Sequence, residues 1–151
     1  MIVLLMRSVG AIIASLVVAM MLIIAVEAIT AIFHPFPLGV DTTDHEVVKA
    51  HVAKFPHWVL ALAVIGWGST VFASAWLATR LGAGRHPAHG IAIGSLLILA
   101  AAFNMLMLPY PVWFELVNLL ILPLAMFGAV KCGRAPLSSY GVRTREKAEL
   151  N

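Results

Sequence analysis

Charge is scarce in this chain. Only 11% of its 151 residues are Asp, Glu, Lys or Arg, while 62% are hydrophobic. An average soluble domain carries about 25% charged residues. The mean hydropathy is +0.98. A soluble fold of this size leaves too much surface in water to hide so much apolar material, so lipid must supply part of the solvent.

Cysteine is nearly absent too. The single one, Cys132, excludes an intrachain disulfide, a cysteine metal cluster and a dithiol redox couple within one chain. It follows the last apolar run and reads as an ordinary free thiol rather than a juxtamembrane acylation site. There is no phosphate loop, no GxGxxG after a strand, no HExxH and no nucleophile elbow. His45, His51 and His57 recur every six residues, which does not line one helical face. No opposed histidines lie within the apolar runs, as a b-type haem would need. Neither a cofactor, a metal nor a catalytic residue is therefore expected. The pI of about 9.4 suggests nucleic acid at first sight. The basic residues, however, flank apolar runs instead of forming a stripe, the pattern of membrane-topology signals. No nucleic-acid partner is expected.

What is present is four apolar runs, at about residues 8–33, 58–79, 91–108 and 112–130. Each is long enough, at 1.5 Å per residue, to cross roughly 30 Å of hydrocarbon. Backbone in lipid must satisfy its own hydrogen bonds, and the runs lack the alternation of barrel strands, so they are predicted helices. The fold class is all-α: an antiparallel four-helix transmembrane bundle. Residues 1–132 form the membrane domain and 133–151 a polar tail. The first run is too long for a signal-peptide core, although Val26-Glu27-Ala28 imitates a cleavage site.

Arg7, Arg80, Arg85 and the group from Lys131 onward, including Arg134, Arg143, Arg145 and Lys147, fall on one side of the bundle. The other connections hold only Lys49 and Lys54, offset by Asp41, Asp44 and Glu46. Both termini and the tail are therefore expected in the cytoplasm. In the first outward connection His34-Pro35-Phe36-Pro37 stops the first helix. Thr43-Asp44-His45-Glu46 then fits a capping box, predicting a short amphipathic helix over 44–55. The whole third connection is 109–111, so the last two helices must be antiparallel neighbours. Tyr110, Trp113 and Trp58 suit the outer interface. Gly90 with Gly94, and Ser69 with Ala73, are small-xxx-small pairs that let helices approach, within one chain or between two.

The polar groups in the runs are Glu27, Asn104, Glu115 and Asn118. All fall in the outward third, Glu115 about 5 Å from its helix end by rise per residue. Glu27, Thr30 and His34 share a helical face, as do Glu115 and Asn118, and His57 starts the second span at a similar height. These seven residues make a candidate polar cluster in the outer leaflet. Interhelical polar glue is the favoured reading, because interfacial carboxylates snorkel and buried amides link helices. Ion or proton handling and acid–base catalysis compete with it.

Three groups of residues carry a family resemblance. They are Val26-Glu27-Ala28 with His34-Pro35-Phe36-Pro37 and Gly39-Val40-Asp41; Ala50-His51, Phe55-Pro56 and Gly66-Trp67-Gly68; and the stretch from Asn104 to Pro109 with Pro111-Val112-Trp113-Phe114. Over residues 5–130 the chain resembles a widespread group of small, uncharacterised bacterial four-span membrane proteins. The resemblance implies an inner-membrane protein and carries no activity or functional residue. The leading expectation is a non-enzymatic accessory or assembly component, with membrane lipids and either a second copy or another membrane protein as partners. The rivals are a small transporter or ion-conducting oligomer using Glu27 and Glu115, and an enzyme acting on a lipid or quinone at the outer leaflet.

Overall fold

Hydrophobic sequence without a polar stripe makes helices that can be wetted by lipid on any side, so their neighbours are chosen by shape. The computed structural model, which describes residues 1–136, contains four such helices and one short polar one. They are α1 (Ile2–Phe33), α2 (His45–Val52), α3 (His57–Leu81), α4 (Pro87–Met107) and α5 (Val112–Arg134). A 3₁₀ turn, Ala83–Arg85, joins α3 to α4. All but α2 are long and apolar enough to cross a membrane, so this is an all-α, multi-pass membrane fold. The spans are longer than the apolar runs because flanking residues such as Arg7, Arg80 and Arg134 continue the helices. The tail beyond residue 136 lies outside the described residues, and its first two positions, Gly133 and Arg134, belong to α5.

α3 is the hub. Half of its most apolar stretch is buried, against 17% for α1 and α4, and it packs on α1, α4 and α5. Its antiparallel register with α1 is fixed at three heights. Arg7 Nε donates to the Leu81 carbonyl at 2.9 Å, Val26 lies on Gly66, and the Phe33 and Trp58 rings meet edge to face at 5.1 Å. Between them α1 presents Ala11, Ser15 and Ala19, all buried at a four-residue spacing. Such a small-residue ridge lets backbones approach where the bilayer removes any hydrophobic drive.

Glycine serves the same end between α3, α4 and α5. A Cβ on Gly90 would fall on Thr79 Oγ1 and the Ala75 carbonyl; one on Gly94 would fall on Met126. A Cβ on Gly133 would lie 2.8 Å from that of Thr79. The Gly90–Gly94 pair therefore packs helices of one chain. Ser69 and Ala73 lie instead along an open apolar groove between α3 and α5, with Phe72 and Ile121.

This end of the bundle is basic. Arg80 and Arg85 both donate to the Ala135 carbonyl, at 2.7 and 3.3 Å, and Arg7 holds Leu81. Helix C-termini leave carbonyls without intrahelical donors, and cations there also suit the helix dipole. The turn that brings Arg85 round uses positive φ at Gly84 (63°) and at Arg85 itself (52°).

At the opposite end the polar helix is shorter than its sequence implied. The cap of α2 is Asp44, whose carboxylate accepts from the Glu46 amide at 2.9 Å. Thr43 is not the cap. Its amide and hydroxyl both donate to Asp41 Oδ1, at 2.9 and 2.7 Å, closing an Asx turn that sets the entry angle. The hydroxyl bond first, and then the amide bond, hold the Asp41 carboxyl below its ordinary range. Glu46 is spent on an ion pair with Lys49 at 2.9 Å. Beyond Val52 the bonds Lys54 N–H to His51 O and Phe55 N–H to Val52 O tighten the chain, so the regular helix stops before Phe55. Pro56, without an amide hydrogen, then takes the cap position of α3.

Candidate functional site

The helices that touch closely at the basic end separate toward the other. α1 and α4 barely meet, leaving a cavity of about 190 Å³ between them, backed by α3 and floored by Leu122 of α5. Its walls are apolar except at two places, Glu27 on α1 and Asn104 on α4; Thr70, which also lines it, gives its hydroxyl to the Gly66 carbonyl of its own helix. Exposed Ile23, Glu27 and Ala100 form the rim, so the opening is lateral, toward lipid. A second space of about 30 Å³ adjoins it, with Glu27 and Trp67 as shared walls and Thr30 and Tyr110 beyond them. That is room for a water molecule with polar partners on several sides.

Glu27 makes no ion pair among the described residues, and the carboxylate is not within hydrogen-bond reach of any imidazole there. Thr30 Oγ1 donates to the Glu27 backbone carbonyl at 2.9 Å, so its hydroxyl is satisfied within α1. Asn104 is tied down by the short connection after α4: Tyr110 Oη donates to Asn104 Oδ1 at 3.1 Å. That assignment turns the Asn104 amide nitrogen, a donor, away from the tyrosine. Burial, and then the negative charge of Glu27, push the Tyr110 phenol above its ordinary range, so it remains a donor. Tyr110 stacks on Phe114 at 4.6 Å, and Trp67 meets both rings edge on, at 6.2 and 5.4 Å. Phe114 is fully buried and anchors this aromatic wall.

Of the seven residues singled out in the sequence, the structure brings Glu27, Thr30 and Asn104 to these two adjoining spaces. The other four go elsewhere. His34 turns toward α2, where its ring stacks on His51 at 4.3 Å and Phe36 stacks on the far side of His51 at 3.8 Å. His51 Nε2 lies 3.2 Å from the His34 carbonyl, while His34 Nε2 is buried without a partner among the described residues. Burial first, then the neighbouring His34, lower the His51 pKa. His57 is exposed against Trp113, ring centres 5.8 Å apart. Glu115 is half-buried and its carboxylate forms no hydrogen bond among the described residues. Asn118 is fully buried; its nitrogen donates to the Phe114 carbonyl at 2.9 Å, and its Oδ1 has no partner among the described residues. It stands one turn from Leu122, the floor of the larger cavity. No group of three His, Cys, Asp or Glu side chains suited to a metal occurs among the described residues.

No protein-family model, curated protein or solved structure matches this chain. The site therefore stands on its own chemistry. Sequence reasoning missed Tyr110 and Trp67. Tyr110 reads as an interfacial aromatic, yet it points inward because the prolines on either side of it reverse the chain over α4. Trp67 sits in an apolar run with no periodic signal. The one hint is Gly66-Trp67-Gly68, a large ring between two residues that admit close neighbours.

Proposed function

We propose that this chain is a bacterial inner-membrane protein, with both termini in the cytoplasm, that acts as a non-enzymatic accessory component and holds a small amphipathic molecule reached from within the bilayer. The observation that carries the binding role is the lateral cavity: ring-sized, apolar, and furnished with one carboxylate and one amide at its margin. Binding pockets combine an apolar lining with a few placed polar groups in this way. The orientation is supported by Arg7, Arg80, Arg85, Lys131 and Arg134 gathering at one end. The bacterial setting rests on the family resemblance of residues 5–130. An enzyme is less well supported, since Glu27 and His34 serve different neighbours and no carboxylate and imidazole meet in a hydrogen bond among the described residues.

A small transporter is the second reading, and Glu27 favours it. An ionisable group within a span is costly and marks a pathway or ligand site by default. The test is purification in native nanodiscs, followed by mass spectrometry of copurifying small molecules and proteins. A stoichiometric amphipathic ligand lost on filling the cavity by Ala100→Phe is the expected result. Ligand-free protein that moves solutes across proteoliposomes would favour the transporter. A reporter fused at residue 50 that reads as cytoplasmic would overturn the orientation.

A further inference from the structure

The chemistry of the cavity narrows what it takes, provided that the cavity is a ligand site at all. Its volume, about 190 Å³, is on the order of the 150 Å³ apolar cavity that admits benzene. One ring fits. The polar margin is asymmetric. Glu27 offers a carboxyl group that is a charged acceptor when ionised, and the only ion pair among the described residues is Lys49 with Glu46, so no cation among those residues answers it. An ammonium ion supplies the opposite charge that keeps a carboxylate ionised in apolar surroundings, which neither a neutral ligand nor an anion does. A bare metal ion would find one carboxylate and too few further ligands. The walls beside Glu27 are aromatic, Trp67 lining both spaces and Tyr110 the smaller one, and ring faces attract cations, tryptophan most strongly.

We propose that the cavity binds a single-ring lipophilic amine as its ammonium ion, the ring in the apolar pocket between α1 and α4 and the charge between the Glu27 carboxylate and the Trp67 ring. The amine enters from the bilayer past Ile23 and Ala100. Desolvation of the charge is offset by the full opposite charge of Glu27. This pairing is stronger in a medium of low polarity than in water.

The test uses the full chain in nanodiscs, with binding corrected for partition into empty nanodiscs. Three probes of equal ring size are titrated at pH 7: 2-phenylethylamine, 2-phenylethanol and toluene. The amine binds at least tenfold more tightly than the alcohol. Glu27→Gln weakens the amine at least tenfold and leaves the alcohol unchanged. Trp67→Leu weakens the amine more than it weakens toluene. Should Glu27→Gln fail to fold, acidification of the wild type replaces it: protonation of Glu27 must release the amine and spare the alcohol. Equal affinities for amine and alcohol overturn the proposal. Binding of toluene alone overturns it too, while leaving the cavity as a ligand site. If none of the probes binds, and Ala100→Phe changes nothing, the ligand-binding reading falls with it.

Discussion

The two ends of this bundle are built from different materials. At the basic end Gly90, Gly94, Gly133, Ala75 and Ala78 bring backbones together, and arginines close the exposed carbonyls. At the other end Phe33, Trp58, Trp67, Tyr110, Trp113 and Phe114 fill the space with rings. Small residues pack without gaps because one backbone fits the groove of another. Rings meet at a few angles and centroid spacings of several ångströms, so they leave holes. Both spaces beside Glu27 and, among the described residues, three of the four unpartnered buried polar atoms, His34 Nε2, Trp113 Nε1 and Asn118 Oδ1, lie toward the ring-filled end. The basic end is the clamp, and the aromatic end has the room in which a ligand can sit.

That contrast can be broken most forcefully at the clamp. Gly90→Leu drives side-chain atoms into Thr79 and the Ala75 carbonyl, and overpacking of this kind costs roughly 3 kcal/mol. Unfolding in mixed detergent micelles should show that loss. Ser69→Leu, on the open groove between α3 and α5, should change stability little. Equal effects at both positions would remove the distinction between closed and open faces.

Smaller effects belong to the aromatic end. Asp44→Ala removes the cap of α2 and should cost about 1 kcal/mol locally. Hydrogen exchange of the α2 amides should rise with no change in α3. Acid should act on the same segment through His51. Its pKa is lowered in the folded protein, so the unfolded chain binds the proton more readily and stability falls as pH drops below the ordinary value of 6.5. The groups facing it are His34, Phe36, Phe55 and Lys54, and none supplies a negative charge to reverse the sign. Protection of the α2 amides, with the slower intrinsic exchange in acid divided out, should therefore fall between pH 7.5 and 5.5, and His51→Phe should flatten that response. The smallest effect should come from the arginine caps. Arg80→Gln together with Arg85→Gln removes two exposed charge-assisted bonds to Ala135, a loss of about 0.5 kcal/mol. It should appear as fraying of the last turn of α5 in exchange data.

Several features are legible in the sequence. Pro35 with Pro37, and Pro109 with Pro111, mark breaks between spans, because proline has no amide hydrogen to give a continuing helix. The helix ends fell a few residues beyond the apolar runs, since Arg and Lys at a helix end lengthen it without being apolar. The box at 43–46 was misread by one position. Two acceptors, Asp41 and Asp44, compete for the same amides there, and the winner depends on how the Pro-rich segment enters. The polar cluster was legible as a layer but not as a site. Height in the membrane follows from counting residues along a helix; direction around the axis does not.

The sequence by itself determined that the chain makes four apolar crossings, where they break, and which end carries the arginines. These are properties of composition along a line, and lipid enforces them by requiring each span to satisfy its own backbone. Only the tertiary structure decided that Glu27 lines one space with Asn104 and another with Tyr110 while His34 turns to His51 and Glu115 joins neither. Helices that are apolar on every side carry no code for their facing. That choice was made by where small residues allowed backbones to touch and where rings held them apart.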